Sequence, residues 1–266
     1  MADHLPTMLR NSLIVAAHPD DELLWFGAIL KNVDRVIVVF EDFWPDQAIG
    51  PARAKALANY PREGVSTLRM AEAATYGCAD WQKPKLSKWG IELGQRSEMR
   101  DAKQALKQLV GKSNAPPAGI RLTYQQNFDV LKDRLRGELT ADMNVFTHNP
   151  WGEYGHEDHV LVYRILNDLR AEIGFTLWMS NYCSERALPL ATTYFDSAQP
   201  KFDTLWVDKV FADRVAQVYR DAGCWTWADD WKWFQTECYM QAPTEQKMLK
   251  SQGHLFPLNL FNIDPV

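Results

Sequence analysis

Short apolar segments alternate with amphipathic ones along most of this 266-residue chain. Residues 12–17 are short and continuously apolar after Ser12, as in a central parallel strand that is covered on both faces. Further strands are predicted at 35–40, 143–147 and 175–180, and helices at about 19–31, 53–77 (broken near 60–61), 124–139, 157–171 and 209–222. This alternation predicts right-handed βαβ units, so we expect an α/β fold with a Rossmann-like, mostly parallel sheet flanked by helices.

The stretch at about 80–122 breaks this regular pattern. Between Lys83 and Lys112 it carries eight Lys/Arg and three Asp/Glu, and residues 113–119 are typical of a loop. We interpret the stretch as a surface insertion, with a basic flap for an anionic substrate as the alternative. The expected organisation is a single domain over 1–266 with this insertion and a C-terminal extension after about 200.

Composition narrows the class of protein. A hydrophobic content of 46% with 24% charged residues is typical of a globular chain. No apolar run approaches the roughly 20 residues of a membrane span, and no signal layout begins the chain, so we expect a cytoplasmic protein. The net charge of −5 argues against a nucleic-acid partner and leaves a small-molecule substrate, in a protein that could form a homo-oligomer. The four cysteines are far apart, which predicts free buried thiols.

Two polar clusters each follow a predicted strand. AHPDDE, at 17–22, comes after the first strand, and HNPWGEYGHEDH, at 148–159, comes after the strand at 143–147. The second cluster holds three of the six histidines of the chain. Ligands of open parallel sheets bind beyond the carboxyl ends of the strands, so the two clusters are expected to face each other across one crevice.

The residue types in these clusters suit a catalytic metal. A catalytic zinc takes about three ligands from His, Asp or Glu and keeps an open position for water. His18 and Asp21 lie across a strand-to-helix turn, and a histidine of the second cluster would complete the set. Adjacent Asp20 and Asp21 diverge by about 100° at helical spacing, so one is expected to bind metal and the other to reach the water. A charged helix cap would explain one such cluster but not two.

AHPDDE after an apolar strand, followed about 130 residues later by GxYGHxDH, resembles the LmbE-like family. That family includes the N-acetylglucosaminyl-phosphatidylinositol de-N-acetylases (PIG-L) and the deacetylases of mycothiol and bacillithiol synthesis. The resemblance covers residues 12–170. It implies an LmbE-like fold and a deacetylase that uses Zn²⁺ or another divalent metal. Such an enzyme would remove an N-acetyl group from an amino sugar or a sugar-containing small molecule, releasing acetate and a free amine.

The resemblance also implies a role for each matching residue. The metal ligands would be His18, Asp21 and His159, and Asp20 would be the general base. His156 would stabilise the oxyanion or protonate the leaving amine, with Asp158 orienting it, and Tyr154 would polarise the scissile carbonyl. Arg69 and Glu72 match an Arg-x-x-Glu segment more loosely, so Arg69 is expected either to contact substrate or to form a structural ion pair. The other expected substrate-binding residues are Asp42, Trp44, His148 and Trp151.

Two positions depart from the family pattern. Glu157 stands where proline is commoner, and it suits a first helical turn equally well, so no change in chemistry is expected. The second strand ends in EDFWPD, whose bulky aromatics imply a different pocket wall.

Glu22 is interpreted as a favourable charge at a helix start.

Other functions remain as alternatives. An amidase acting on a non-sugar amide, such as a thiol conjugate or an acylated natural product, is the nearest. A binding protein that has kept the fold would be expected to lack a ligand or the base, and a nucleotide-binding site would need a G-x-G-x-x-G turn that is absent here. Trp44 and Trp151 favour a sugar, whereas Trp178 and Trp206 are expected in the core. The tryptophans at 225–233 either close over a pocket or bury a C-terminal helix, and we favour burial.

Overall fold

The computed structural model describes residues 6–109, 118–194, 201–242 and 257–263. Its strands are β1 (Ser12–Ala16), β2 (Arg35–Asp42), β3 (Val65–Ala71), β4 (Leu86–Ser87), β5 (Gly90–Ile91), β6 (Asn144–Thr147), β7 (Thr176–Met179), β8 (Tyr182–Ser184), β9 (Phe202–Trp206), β10 (Thr236–Gln241) and β11 (Asn259–Phe261). Its α-helices are α1 (Asp21–Leu24), α2 (Ile49–Ala58), α3 (Gln95–Leu109), α4 (Gly119–Arg136), α5 (Glu157–Ile173), α6 (Leu188–Ala191) and α7 (Lys209–Ala222).

A seven-stranded sheet in the order β3-β2-β1-β6-β7-β10-β9 forms the centre of the molecule. The first five of these strands pair in parallel, and β10 and β9 add antiparallel at one edge. The strand order reverses between β1 and β6, which are direct neighbours, so their carboxyl ends open onto the same crevice. The predicted α/β fold with a mostly parallel sheet is confirmed.

Helices cover both faces of this sheet. Leu13 and Val15 of β1 pack into one hydrophobic cluster with residues of α4 and α5. Ile14 and Ala16 point to the opposite face and pack with residues of α2 and α7. Because side chains alternate along a strand, a strand covered on both sides is apolar on both faces, as β1 is after Ser12.

Two predicted helices differ from the structure. The helix expected at 19–31 ends at Leu24, because the Ala28 N–H donates to Glu237 Oε2 at 2.9 Å and leaves the helical ladder. The helix expected at 53–77 ends at Ala58, and a turn at Gly64 (φ +78°) leads into β3. Strand β3 lies at the sheet edge and is mostly exposed, so its sequence lacks the continuous apolar run of a central strand.

The remaining elements fall in stretches without a regular pattern. Helix α3 lies within the stretch expected to be an insertion, and β9 and β10 bring residues after 200 into the central sheet. The four cysteines are free and buried, as predicted. Within the described ranges, none of the helices combines the length and apolarity that crossing a membrane requires.

Candidate metal and catalytic site

The turn after β1 separates the two aspartates of AHPDDE. The backbone N–H of His18 donates to Asp21 Oδ2 at 2.8 Å, and the same oxygen lies 3.0 Å from His18 Nδ1. Asp20 has a φ of +96°, a left-handed conformation that is uncommon for a residue other than glycine and that recurs at active sites. Its Oδ2 accepts a hydrogen bond from the Thr226 hydroxyl at 2.9 Å. Asp21 therefore joins His18, while Asp20 is held separately.

The second cluster brings His159 to this pair. His159, in the first turn of α5, places its Nε2 3.1 Å from Asp21 Oδ2. This nitrogen is fully buried and makes no hydrogen bond, whereas Nδ1 of the same ring lies 2.8 Å from Glu153 Oε2. A metal-binding histidine is usually oriented by a carboxylate on one nitrogen, and here the other nitrogen faces Asp21, the second candidate ligand.

Glu153 is the anchor behind this histidine. Its Oε2 also lies 3.0 Å from His148 Nδ1, and its Oε1 accepts from the Asn149 N–H at 2.9 Å. Burial alone would raise the pKa of Glu153, but the charges and hydrogen bonds of His148 and His159 lower it to about 2. Glu153 is therefore a buried carboxylate that fixes both rings.

His148 supports the site from behind and does not reach substrate. Its Nε2 accepts a hydrogen bond from the Ala17 N–H at 2.8 Å, so Nδ1 carries the ring proton and donates a hydrogen bond to Glu153. The ring is fully buried and stacks on His159 with centroids 3.8 Å apart. Both nitrogens of His148 are thus occupied within the protein, which does not agree with the predicted contact to substrate.

His156 presents one nitrogen to the cavity. As the N-cap of α5 it accepts the Asp158 N–H on Nδ1 at 3.1 Å, which leaves the proton on Nε2. Burial and the neighbouring His18 and His159 lower its pKa well below the usual value, so the ring is neutral. Among the predicted site residues, His156 is thus a neutral hydrogen-bond donor that lines the cavity.

These side chains could hold a cation. The ligand atoms of His18, His156 and His159 lie within 4.8 Å of one another. The same holds for Asp21, His148 and His159, and for His18, Glu72 and Asp158. Burial alone would lower the pKa of His18, but Glu72, Asp158 and Asp21 raise it to about 10. The pKa of His159 likewise rises to about 9, because Asp21 and Glu153 outweigh its burial. The surrounding carboxylates thus create a negative potential at both rings, and a divalent metal bound there would take the place of the imidazole protons.

Asp20 and Glu22 form a second acidic group beside the metal candidates. Burial, together with Asp21 and Glu22, raises the pKa of Asp20 well above its usual value. Glu22 is fully buried; its Oε1 accepts from the hydroxyls of Tyr60 at 2.8 Å and Tyr219 at 2.7 Å. Its Oε2 accepts the Asp20 N–H at 3.0 Å. Glu22 therefore holds the left-handed backbone of Asp20 in addition to facing a helix start.

The arginine at this site is Arg53 and not Arg69. Arg53 Nη1 contacts Glu72 Oε1 at 2.5 Å, and Glu72 Oε2 lies 3.7 Å from His18 Nε2. Arg69 is exposed on β3 at a register shift of the sheet, with a φ of +51°. Neither expectation for Arg69 agrees with this position, because the irregular backbone turns it away from both the cavity and Glu72.

Asp158 orients a different histidine from the one expected. Its Oδ2 lies 3.4 Å from His18 Nε2, and its Oδ1 accepts from the Thr75 hydroxyl at 3.0 Å. Only its backbone N–H contacts His156. Because the carboxylate points across to the β1 cluster, it steadies His18, and the predicted side-chain contact with His156 is replaced by a main-chain one.

A cavity of about 1150 Å³ opens over these groups. Of the predicted site residues, it is lined by His18, Asp20, Asp21, Trp44, Tyr154 and His156. Asp42 is exposed beside Gly50, and Trp151 is fully buried with its Nε1 donating to the Tyr182 carbonyl at 2.8 Å. Neither residue belongs to the cavity lining, so neither position agrees with a predicted contact to substrate.

The tryptophans also differ from expectation. Trp227 and Trp231 line the cavity instead of burying a C-terminal helix. Trp178 is buried, as expected, but Trp206 is 70% exposed on the outermost strand, which has no neighbour on one side to cover it.

Glu157, the departure from the family pattern, joins two parts of the site. Its carboxylate accepts the backbone N–H of Ala79 at 2.7 Å and of Gly77 at 3.2 Å. Burial raises its pKa to about 7. The loop it holds carries Tyr76, whose ring stacks on His156 with centroids 5.2 Å apart. A proline could not make these contacts.

Sequence reasoning missed three residues of this site. Glu153 lies inside the second motif, where a carboxylate near two histidines signals support for a ligand. For Arg53 the sequence offers only a weak signal, a positively charged residue in the segment that follows the second predicted strand. Thr226 carries no local signal, because its contact with Asp20 spans 206 positions of the chain.

Known proteins resemble this chain over the same region. The family model described as PIG-L, GlcNAc-PI de-N-acetylase, matches residues 13–169. A 1D-myo-inositol 2-acetamido-2-deoxy-alpha-D-glucopyranoside deacetylase of Saccharomonospora viridis is 28% identical over 161 residues, which are 58% of this chain and 55% of that protein. The match thus spans little more than half the length of this curated relative.

Two solved structures share lower similarity. A deacetylase in complex with teicoplanin, from teicoplanin biosynthesis, is 14% identical with a TM-score of 0.47 and covers 86% of this chain and 97% of its own. The A40926 pseudoaglycone deacetylase is 16% identical with a TM-score of 0.39, at 88% and 97% coverage. The family match is the informative one, because it covers more than half of the sequence and includes both polar clusters. The chain belongs to the PIG-L family.

Proposed function

We propose that this protein removes the N-acetyl group of an amino sugar, or of a small molecule that contains one, and releases acetate and a free amine. One observation carries the proposal. At the carboxyl ends of neighbouring β1 and β6, His18, Asp21 and His159 converge while Asp20 and His156 line the cavity beside them. Metal ligands, a base and a neutral donor are the parts that amide hydrolysis needs.

Zinc is the metal we propose for the His18, Asp21 and His159 set. Two imidazoles and one carboxylate match the donors of catalytic zinc sites. The approach of His159 Nε2 to within 3.1 Å of Asp21 Oδ2 supports this assignment, as do the carboxylates around His18 and His159, whose negative potential attracts a cation. The bound metal would lower the pKa of a water molecule and polarise the scissile carbonyl.

Asp20 is proposed as the general base. Its carboxylate lines the cavity next to Asp21, and Thr226 and the backbone contact with Glu22 hold it in place. Burial disfavours the charged form of Asp20, which makes its carboxylate a stronger base toward the proton that the attacking water loses. Asp20 is then placed to return that proton as the carbon–nitrogen bond breaks.

His156 and Tyr154 are proposed as donors to the reacting amide. The Nε2–H of neutral His156 would stabilise the oxyanion or protonate the leaving nitrogen. Burial and the nearby Asp21 and Asp20 raise the pKa of Tyr154 well above its usual value, so its hydroxyl keeps its proton. Both groups therefore donate without adding charge to the ground state.

The sugar assignment draws on the relative. The S. viridis protein is named as a deacetylase of a 2-acetamido-2-deoxy-glucopyranoside. The two proteins match over 55% of the relative's length. We propose that this chain hydrolyses the same type of bond, the amide of a 2-acetamido sugar.

The test is acetate release from N-acetylated glycosides by the zinc-loaded chain. We expect equal amounts of acetate and free amine from an N-acetylglucosaminide, and none after chelation. An N-acetylated amino acid amide serves as the non-sugar control. Release from this amide but from none of the glycosides would favour the amidase alternative, and release that survives complete metal removal would contradict the proposed mechanism.

A further inference from the structure

The cavity is larger than the reacting part of the proposed substrate. Its volume of about 1150 Å³ exceeds the roughly 300–1,000 Å³ of pockets that enclose drug-sized ligands. The catalytic groups occupy only part of its lining. A single amino-sugar ring bound over His18 and Asp20 would therefore leave much of the cavity unfilled, and the substrate is expected to extend beyond that ring.

The rest of the lining is rich in aromatic side chains. We call Trp227, Trp231 and Phe261 the aromatic wall. Trp227 and Trp231 have ring centroids 5.2 Å apart, and Phe261 lies 5.7 Å from Trp231. All three line the cavity, and all three are half-buried, unlike the core tryptophan Trp25, which is fully buried. The aromatic wall thus keeps apolar surface in contact with solvent.

This wall is continuous with the catalytic residues. The Trp227 ring lies 5.2 Å from Tyr154, and the Tyr154 ring lies 5.6 Å from His156. Phe43 and Trp44, which follow β2, line the same cavity from another part of the chain. A group attached to a sugar at the catalytic residues would therefore meet aromatic surface from two segments.

We propose that the aromatic wall is a subsite for an apolar group, aryl or alkyl, that is joined glycosidically to the amino sugar. This inference rests on the proposed function. Exposed apolar surface inside a concave site favours an apolar ligand, because binding removes both surfaces from water. The three wall residues carry no charge, and the charged residues on either side of Trp231 in the cavity lining, Asp230 and Lys232, are of opposite sign, so the wall does not favour an anionic group.

The experiment compares three glycosides of N-acetylglucosamine with the zinc-loaded full chain. Methyl, hexyl and phenyl glycosides share the reacting amide and differ only in the aglycone. We expect a KM at least about tenfold lower for the hexyl or the phenyl glycoside than for the methyl one, with similar kcat, as burial of a few carbon atoms predicts. A preference for hexyl identifies an alkyl chain, and a preference for phenyl identifies an aryl group.

Three variants locate the effect. Trp231→Ala should reduce the KM difference to about threefold or less. Trp206→Ala, at an exposed position outside the cavity lining, is the matched control and should leave the difference intact. Trp231→Leu, which keeps apolar bulk, should retain part of the difference if Trp231→Ala fails to fold.

The outcomes separate this inference from the proposed function. Acetate release from all three glycosides with equal KM overturns the subsite and leaves deacetylation standing. No release from any glycoside contradicts the proposed function. In that case calorimetric Kd values for the same glycosides decide the subsite: a tenfold preference for an apolar aglycone supports it, and equal Kd values overturn it.

Discussion

Glu153→Gln tests how the site holds its metal. In the native chain, both carboxylate oxygens of Glu153 accept hydrogen bonds, from His148, His159, Asn149 and Ser180. Glutamine has almost the same size, but one acceptor oxygen becomes an NH₂ donor. At least one of these contacts must then place two donors against each other. The substitution therefore perturbs the orientation of His159 while leaving that ligand itself in place.

The size of the effect follows from that loss. Mutation of a carboxylate that orients a metal-binding histidine typically lowers metal affinity by about 10–100-fold. This range corresponds to about 1.4–2.8 kcal/mol of binding free energy. Because Glu153 is fully buried and contacts two histidines, we expect a value toward the upper end of the range.

The assay is competition for Zn²⁺ between the purified chain and a chromogenic chelator of known affinity. Circular dichroism on the same samples checks that the variant is folded. Glu63→Gln changes an exposed glutamate in the same way and should bind zinc like the parent chain. If folded Glu153→Gln binds zinc within about twofold of the parent, a role for Glu153 in orienting a metal ligand is wrong.

Three other substitutions have specific expected outcomes. Thr226→Val should lower kcat about tenfold with little change in KM, because the variant loses the hydrogen bond that positions the Asp20 carboxylate for proton transfer. Arg53→Ala should lower the free energy of unfolding by about 3–5 kcal/mol in urea titrations, because the buried carboxylate of Glu72 loses its cation. Gly64→Ala should lower the melting temperature by about 2–6 °C, because φ is +78° and the new Cβ would lie 2.7 Å from a backbone oxygen.

Each of these has a matched control. Thr226→Ser keeps the hydroxyl and should keep kcat, so equal loss in both variants would contradict the hydrogen-bond explanation. Adding Glu72→Gln to Arg53→Ala should recover part of the lost stability, and no recovery would show that the charge pair is not the cause. Gly137→Ala, at φ −75° with its nearest neighbour 3.8 Å away, should melt like the parent.

The centre of the fold was predictable because its sequence signals are local. Strand β1 is apolar after Ser12, and α7 has one apolar stripe, so their patterns identify them. Ligands of open parallel sheets bind beyond the carboxyl ends of the strands. Because His18 and His159 follow the carboxyl ends of the parallel neighbours β1 and β6, this rule also predicts that the two residues meet.

What could not be predicted depends on distant contacts. Strand β3 has a mixed pattern because it lies at the sheet edge, and its irregular backbone turns Arg69 outward. Arg53 takes its place from a different element. Thr226 and the aromatic wall come from the part of the chain beyond the family match, where no motif marks them.

The central claim is that Asp20 acts as the base beside a metal that it does not bind. The most direct measurement is metal content and acetate release on one preparation of Asp20→Asn. We predict about one zinc ion per chain, as in the parent, with kcat lowered by about 10²–10⁴-fold. Turnover near that of the parent chain, with zinc bound, would contradict the role of Asp20.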